Sequence, residues 1–157
     1  MKNDRYGRFG LMIGTAGVVM FGLMYLNTYD LTHVFFSETR AYMAVLMAAT
    51  MAMIMLPFML GMYTKKSVNI SIFIGSAVLF ALALWLVRSQ RTVEDVSWMK
   101  AMIPHHSIAI LTSERARISD PRVQKLADQI IESQRREIEE MKKLLKELEN
   151  SPSANQQ

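Results

Sequence analysis

The chain has 157 residues, 51% of them hydrophobic, a net charge of +4 and no cysteine, which excludes a disulfide framework, a cysteine zinc site and a thiol nucleophile. Charge is unevenly spread: residues 1–87 carry six Lys/Arg and three acids, and residues 88–157 carry twelve and eleven. The C-terminal part is thus nearly neutral with mixed signs, the pattern of a solvated helical surface and not of a nucleic-acid-binding patch. Methionine, at 14 residues, is several times its ordinary usage. Thioethers bind Cu(I) without deprotonation, and they also fill irregular apolar space.

Residues 1–8 are short, polar and basic, and residues 9–26 form an uncharged run long enough to cross a bilayer. No small-residue cleavage site follows, so the run reads as an anchor and not as a signal peptide. Gly10, Gly14, Gly17 and Gly22 offer a lightly shielded face for helix packing. Residues 27–41 read as a polar-aromatic loop containing His33.

Residues 42–63 are the second expected span. Met43, Met47, Met51, Met55 and Met59 recur every four residues along it, as a packing stripe or as a path for a soft ion entering from His33. Pro57 is expected to kink this helix. A turn with Lys65 and Lys66 leads to the third span, 68–87. Lys2, Arg5, Arg8, Lys65 and Lys66 flank the spans on one side, against Arg40 alone in the first loop. The positive-inside rule then places the N-terminus in the cytoplasm and everything after the third span outside.

Thr92-Val-Glu-Asp95 reads as a capping box that opens a helix to about residue 118. With Met102 at zero and about 100° per residue, Asp95 falls at ~20°, Trp98 at ~−40°, Met99 at ~60°, His105 at ~−60°, His106 at ~40° and Ala109 at ~−20°. The possible metal ligands of this stretch therefore share one third of the helix. Imidazole with thioether is a soft-to-borderline donor set that selects Cu(I) and its analogue Ag(I). The plainer reading makes Met99, Met102 and Ala109 core, flanked by the histidines. Asp95 has a capping role open to it besides a metal role. Pro104 should bend the helix at the His pair.

Asp120-Pro121 reads as a cap and first turn restarting a helix over 121–148. Ala127, Ile131, Gln134, Ile138, Met141, Leu145 and Leu148 form a heptad seam, with Glu137 one turn before Met141. The two helices form an antiparallel hairpin. Because a hairpin buries only one stripe per helix, a second subunit is expected to complete a four-helix bundle. Residues 150–157 are polar and expected to be disordered.

Trp98-Met-Lys-Ala-Met102-Ile-Pro-His105-His106-Ser-Ile-Ala109, then Asp120-Pro121, Leu126-Ala127 and Gln134-Arg-Arg-Glu137-Ile138-Glu-Glu-Met141, resembles the domain-of-unknown-function 305 family. That family includes copper-binding CopM-like proteins with a ferritin-like helical hairpin. The resemblance covers about residues 95–148 and implies extracytoplasmic or membrane-attached binding of copper or silver, linked to metal tolerance. Carried over by position, Met102, His105, His106 and Met141 are the implied ligands, and Glu137 matches too. Where the family usually has a methionine shortly after the His pair this chain has Leu111 and Thr112, with Met99 as the compensating thioether.

The expectation is an all-α protein in three parts: a three-helix transmembrane region (1–90), an extracytoplasmic ferritin-like hairpin (91–149) and a tail (150–157). Its function would be to hold copper(I), with silver(I) as analogue, on the outer face of a bacterial inner membrane. Its candidate ligands are His105, His106, Met102, Met99, Met141, Glu137, Asp95 and His33. Its partners would be the bilayer, a second copy of itself and other copper-handling membrane proteins. Three residues before His105 and His106 stand Met102 and Ile103, not carboxylates, so a ferritin-like di-iron enzyme is excluded. The competing reading is a membrane-anchored assembly module without a metal.

Overall fold

The computed structural model describes residues 3–150, with side chains from residue 5 onward. The regular elements among these residues are all helical. They are α1 (Asn3–Leu23), α2 (Glu38–Phe58), α3 (Lys66–Ser89), α4 (Asp95–Arg115) and α5 (Pro121–Glu149), with one 3-10 turn at Leu31–His33. Of the expected tail, 150–157, Asn150 caps the C-terminus of α5 and residues 151–157 lie outside the described residues.

Arg5–Leu23, Glu38–Phe58 and Lys66–Ser89 are each long and apolar enough to cross a membrane. Their boundaries differ from the sequence expectation for local reasons. Pro57 has no N–H to return to the carbonyl of Met53, and α2 stops one residue later instead of running on to 63. The chain then turns over Met59, whose carbonyl accepts from the N–H groups of Met62 and Tyr63 at 2.9 and 3.2 Å. Helix α1 ends at Leu23, and Arg40 donates to the freed carbonyl of Met24 at 2.7 Å. Helix α3 ends on Gln90 in the left-handed region, where Nε2 donates to the Val87 carbonyl.

The chain folds as two compact units. The first comprises residues 1–24 and 39–92. Its buried α2 positions are Ala44, Ala49, Ala52 and Leu56, so small residues, and not the methionines, occupy the most buried face. Of the glycines on α1, Gly17 is the one whose position demands it: a Cβ there would lie 3.3 Å from that of Ala48, while Gly10, Gly14 and Gly22 face open space. Phe9, Ala52, Leu56 and Tyr63 form a small core, with Met55 and Met59 packed against it.

The second unit comprises residues 25–38 and 93–157. Sequence division at residue 90 gives the first loop to the membrane region, whereas the contacts group it with the hairpin. Helices α4 and α5 pack through Met99, Ile103, Ile110, Ile138, Met141 and Leu145, and Phe35 of the loop closes on the same core. The heptad seam of α5 is therefore spent largely on α4. Asp120 caps α5 by accepting the Arg122 N–H at 2.8 Å, with Pro121 in the first turn as its sequence predicts. The Arg122 side chain and N–H also hold the Asp120 carboxyl below the usual range. The expected capping box is replaced: α4 starts at Asp95 with Glu94 as its cap residue, and Thr92 instead shares a hydrogen bond with Tyr42.

Candidate metal centre

The candidate ligands divide into three groups. Met99 and Met141 are core: both are buried among the isoleucines between the helices, and Met102 packs against the edge of that cluster. Their placement follows from the apolar faces of α4 and α5, which meet along the seam. They share one cluster from two helices, which is the convergence a soft site needs and also what plain packing produces.

His106 is the second element. Its side chain is 15% exposed, and Nδ1 lies 3.0 Å from Oε2 of Glu137 on the facing helix. The distance suits a hydrogen bond but the direction does not, so the buried Nδ1 has no hydrogen-bond partner among the described residues. Burial pushes the His106 imidazole below its ordinary range, Glu137 acts against this, and the neighbouring His105 adds to the lowering. A neutral ring is the form a metal needs, and a carboxylate beside one ring nitrogen is the partner that orients the other toward an ion. His105 is exposed, with its ring edge-on to that of His106 at 6.0 Å. Adjacent helical residues diverge by about 100°, which is why one histidine turns inward and the other outward.

The remaining two ligands stand apart from His106. Asp95, eleven residues or about 16 Å of helix away, lines a cavity of about 440 Å³ with Trp98, Met99 and Leu148. His33 is 9% exposed, and its Nδ1 lies 2.9 Å from the hydroxyl of Ser107, which also accepts the Tyr29 N–H at 2.7 Å. The direction of the bond between this hydroxyl and His33 follows the tautomer of the ring. Burial lowers the His33 pKa, Lys142 lowers it further, and Asp30 and Glu139 act the other way. Helical spacing sets Ser107 and Glu139 on one flank of the Ile110–Ile138 layer and His106 and Glu137 on the other. Among the described residues, no group of three or more His, Asp or Glu side chains is placed to hold a metal. A site here therefore depends on thioether sulfur joining imidazole.

Sequence reasoning missed the first flank. Ser107 is fully buried there, and Tyr29, Arg135 and Glu114 form a chain: Tyr29 Oη donates to Glu114, Arg135 pairs with the same carboxylate at 3.1 Å, and the Arg135 guanidinium sits 5.7 Å over the Tyr29 ring. A small polar residue in the middle of an otherwise apolar face was the available signal.

Residues 95–157 match the family model described as "Domain of unknown function (DUF305)". The chain is also 34% identical over 146 residues to a protein of Acanthamoeba polyphaga mimivirus described as "Uncharacterized protein L153", covering 87% of this chain and 92% of the relative. The chain belongs to the DUF305 family. The likeness to the viral protein reaches well beyond the DUF305 segment into the apolar helices. No solved structure matches.

Proposed function

We propose that this DUF305 protein is a membrane-anchored carrier for Cu(I) or Ag(I), held on the outer face of a bacterial cytoplasmic membrane, that sequesters or passes on the ion without catalysing a reaction. The observation that carries this is the His106 ring: inside the hairpin, kept neutral by burial, with Glu137 at 3.0 Å and Met102 four residues earlier on the rim of a cluster holding Met99 and Met141. His106 would supply nitrogen and Met102 sulfur, with Met99 and Met141 behind them and the exposed His105 reaching outward to a partner copy. Cysteine-free chemistry suits an oxidising compartment. The test is titration of the full chain in nanodiscs with Cu(I) against a competing chelator. Affinity tighter than micromolar is expected, and none at that level sinks the metal reading.

The second reading has its own observation. Met99 and Met141 are buried in one apolar cluster with Ile103, Ile110, Ile138 and Leu145. A hairpin stabilised that way would serve as an assembly module alone, and the same titration separates the two.

A further inference from the structure

The first loop, residues 25–38, joins α1 to α2 yet belongs to the compact unit of the hairpin, and its two faces are unlike. One face is fastened down. His33 and the Tyr29 N–H both meet the Ser107 hydroxyl, at 2.9 and 2.7 Å. Phe35 packs on the hairpin core, the buried Ser37 donates its N–H to Tyr25 Oη at 3.0 Å, and Ser97 donates to Glu38 at 2.8 Å. With His33, Phe35 and Ser37 turned inward, the alternation of extended backbone turns Val34 and Phe36 outward. Leu31 joins this edge, because it precedes Val34 by three residues, the spacing at which side chains of a 3-10 turn eclipse. The outward set is apolar: Leu31 is 88% exposed, Phe36 64% and Val34 43%, and Leu26, just past α1, is 77% exposed. A single exposed leucine is ordinary, but this many large apolar side chains on one short loop mark a contact surface.

Connectivity names what covers it. One apolar span ends at Leu23 and the next opens at Glu38. At ~3.5 Å per residue, Leu26 stands within about 11 Å of the first span's end, and Phe36 and Val34 within about 7 and 14 Å of the second's start. The polar boundary of a bilayer is itself about 5–7 Å deep on each side, so the tether keeps these side chains at or just above that layer. The loop contains no Lys or Arg, so it has apolar area and not positive charge to offer a lipid surface. Its Tyr25 and Tyr29 are the residue type that anchors at such a boundary. The Asp30 carboxylate beside Leu31 is engaged in capping the turn, where it accepts the Thr32 N–H at 2.7 Å.

The geometry points to a lipid-docking edge on the first loop: Leu31, Val34 and Phe36 insert into the headgroup–acyl boundary of the bilayer that the spans cross, backed by a loop fastened to α4. It rests on the apolar helices crossing that bilayer and is independent of the metal reading. The absence of cysteine allows a single spin label at any chosen position. Leu31→Cys and Val34→Cys, each carrying a nitroxide, are made in the full chain in nanodiscs of phosphatidylglycerol and phosphatidylcholine. Collision rates with oxygen and with a water-soluble nickel chelate then report depth. Val78→Cys, exposed near the middle of the third span, is the lipid reference, and Lys125→Cys, exposed on α5, is the water reference. Both loop labels are expected ~5–10 Å into the boundary, open to oxygen and shielded from nickel. A Leu31 label that meets nickel as often as the Lys125 label puts the edge in water and overturns the assignment. Shielding from both reagents puts the edge against protein, a second copy included, and overturns it as well. A Val78 label open to nickel overturns the spans and the docking edge together. The Leu31 label decides if the two loop labels differ. If the Leu31 variant loses helicity, the Val34 label decides alone by the same criteria.

Discussion

At the scale of single residues, the two histidines are chemically unequal, and that inequality is measurable. His106 is turned inward beside Glu137 and His105 is exposed. In Cu(I) competition, His106→Ala should cost far more affinity than His105→Ala. Glu137→Gln keeps the shape but removes the orienting charge, and should cost roughly 10–100-fold, as partners behind a metal ligand do. Met102→Leu should also weaken binding, because it keeps volume and removes the sulfur. Small, equal losses in both His variants with none in Met102→Leu would return the whole face to core. Proton competition adds a second readout. The free imidazole titrates at about 6.5, and burial holds His106 below that, so Cu(I) affinity should stay level through pH 6.5 and fall only at more acid pH. A core position gives the reference for stability. Ile103 is 0% exposed between the helices, and Ile103→Ala should cost about 2–5 kcal/mol by opening a cavity, read by thermal unfolding of the hairpin without any metal.

At the scale of elements, the first loop acts as a strap on α4, fastened at His33 and Ser107. The pKa of His33 is lowered in the folded state, so the unfolded chain binds more protons as pH falls below about 6.5. The stability that neutral His33 contributes is complete above that pH and is lost on acidification. Melting of the full chain should therefore fall more steeply between pH 7 and 5 than melting of His33→Gln; parallel curves would show the strap to be insensitive to protonation. Helix α2 gives a contrasting prediction. Three of its four buried residues are alanines, so Ala49→Leu or Ala52→Leu should cost about 1–3 kcal/mol by overpacking, whereas changing Met43, Met47 and Met51 together to leucine should be tolerated. If the triple variant also leaves cell copper content unchanged, the methionine stripe is packing. The elements themselves were legible: three long apolar runs, the Asp120-Pro121 start and the seam of α5 all carry local signals. The strap was not legible, because Ser107 and His33 are 74 residues apart and neither is unusual alone. The same holds for Thr92, whose hydroxyl meets Tyr42 and not the start of α4, and for the His106–Glu137 contact, which only the register of two packed helices fixes.

At the scale of the whole molecule, two questions remain open to direct test, and the helices bear on both. A dimer was expected because a lone hairpin has little to bury its seam against. Here α4 takes Ile138, Met141 and Leu145, and Phe35 of the strap adds cover, so a dimer would have to use what stays exposed: Val123 and Leu126 near one end of α5, Trp98, Leu144 and Leu148 near the other. Mass measurement in nanodiscs should give a dimer that Leu126→Asp dissociates; a monomer at micromolar protein would leave these as scattered surface residues. Sidedness follows from connectivity. Residues 25–38 and the hairpin form one compact unit, so both lie on the same side, and the two spans between them return the chain to that side. The opposite side receives Arg5, Arg8, Lys65 and Lys66 among the described flanks, whereas the strap carries no Lys or Arg and Arg40 follows it. By the positive-inside rule that opposite side is expected to be the cytoplasmic one. Arg88 and Arg91, at the C-terminal end of the third span, pull the other way but are fewer. A reporter fused after Gln157 should be active only outside the cytoplasm, and one inserted at Lys66 only inside. Cytoplasmic activity at both positions would break the three-span topology, while exchanged activities would keep the spans, invert the protein, and move the proposed copper site to the cytoplasm.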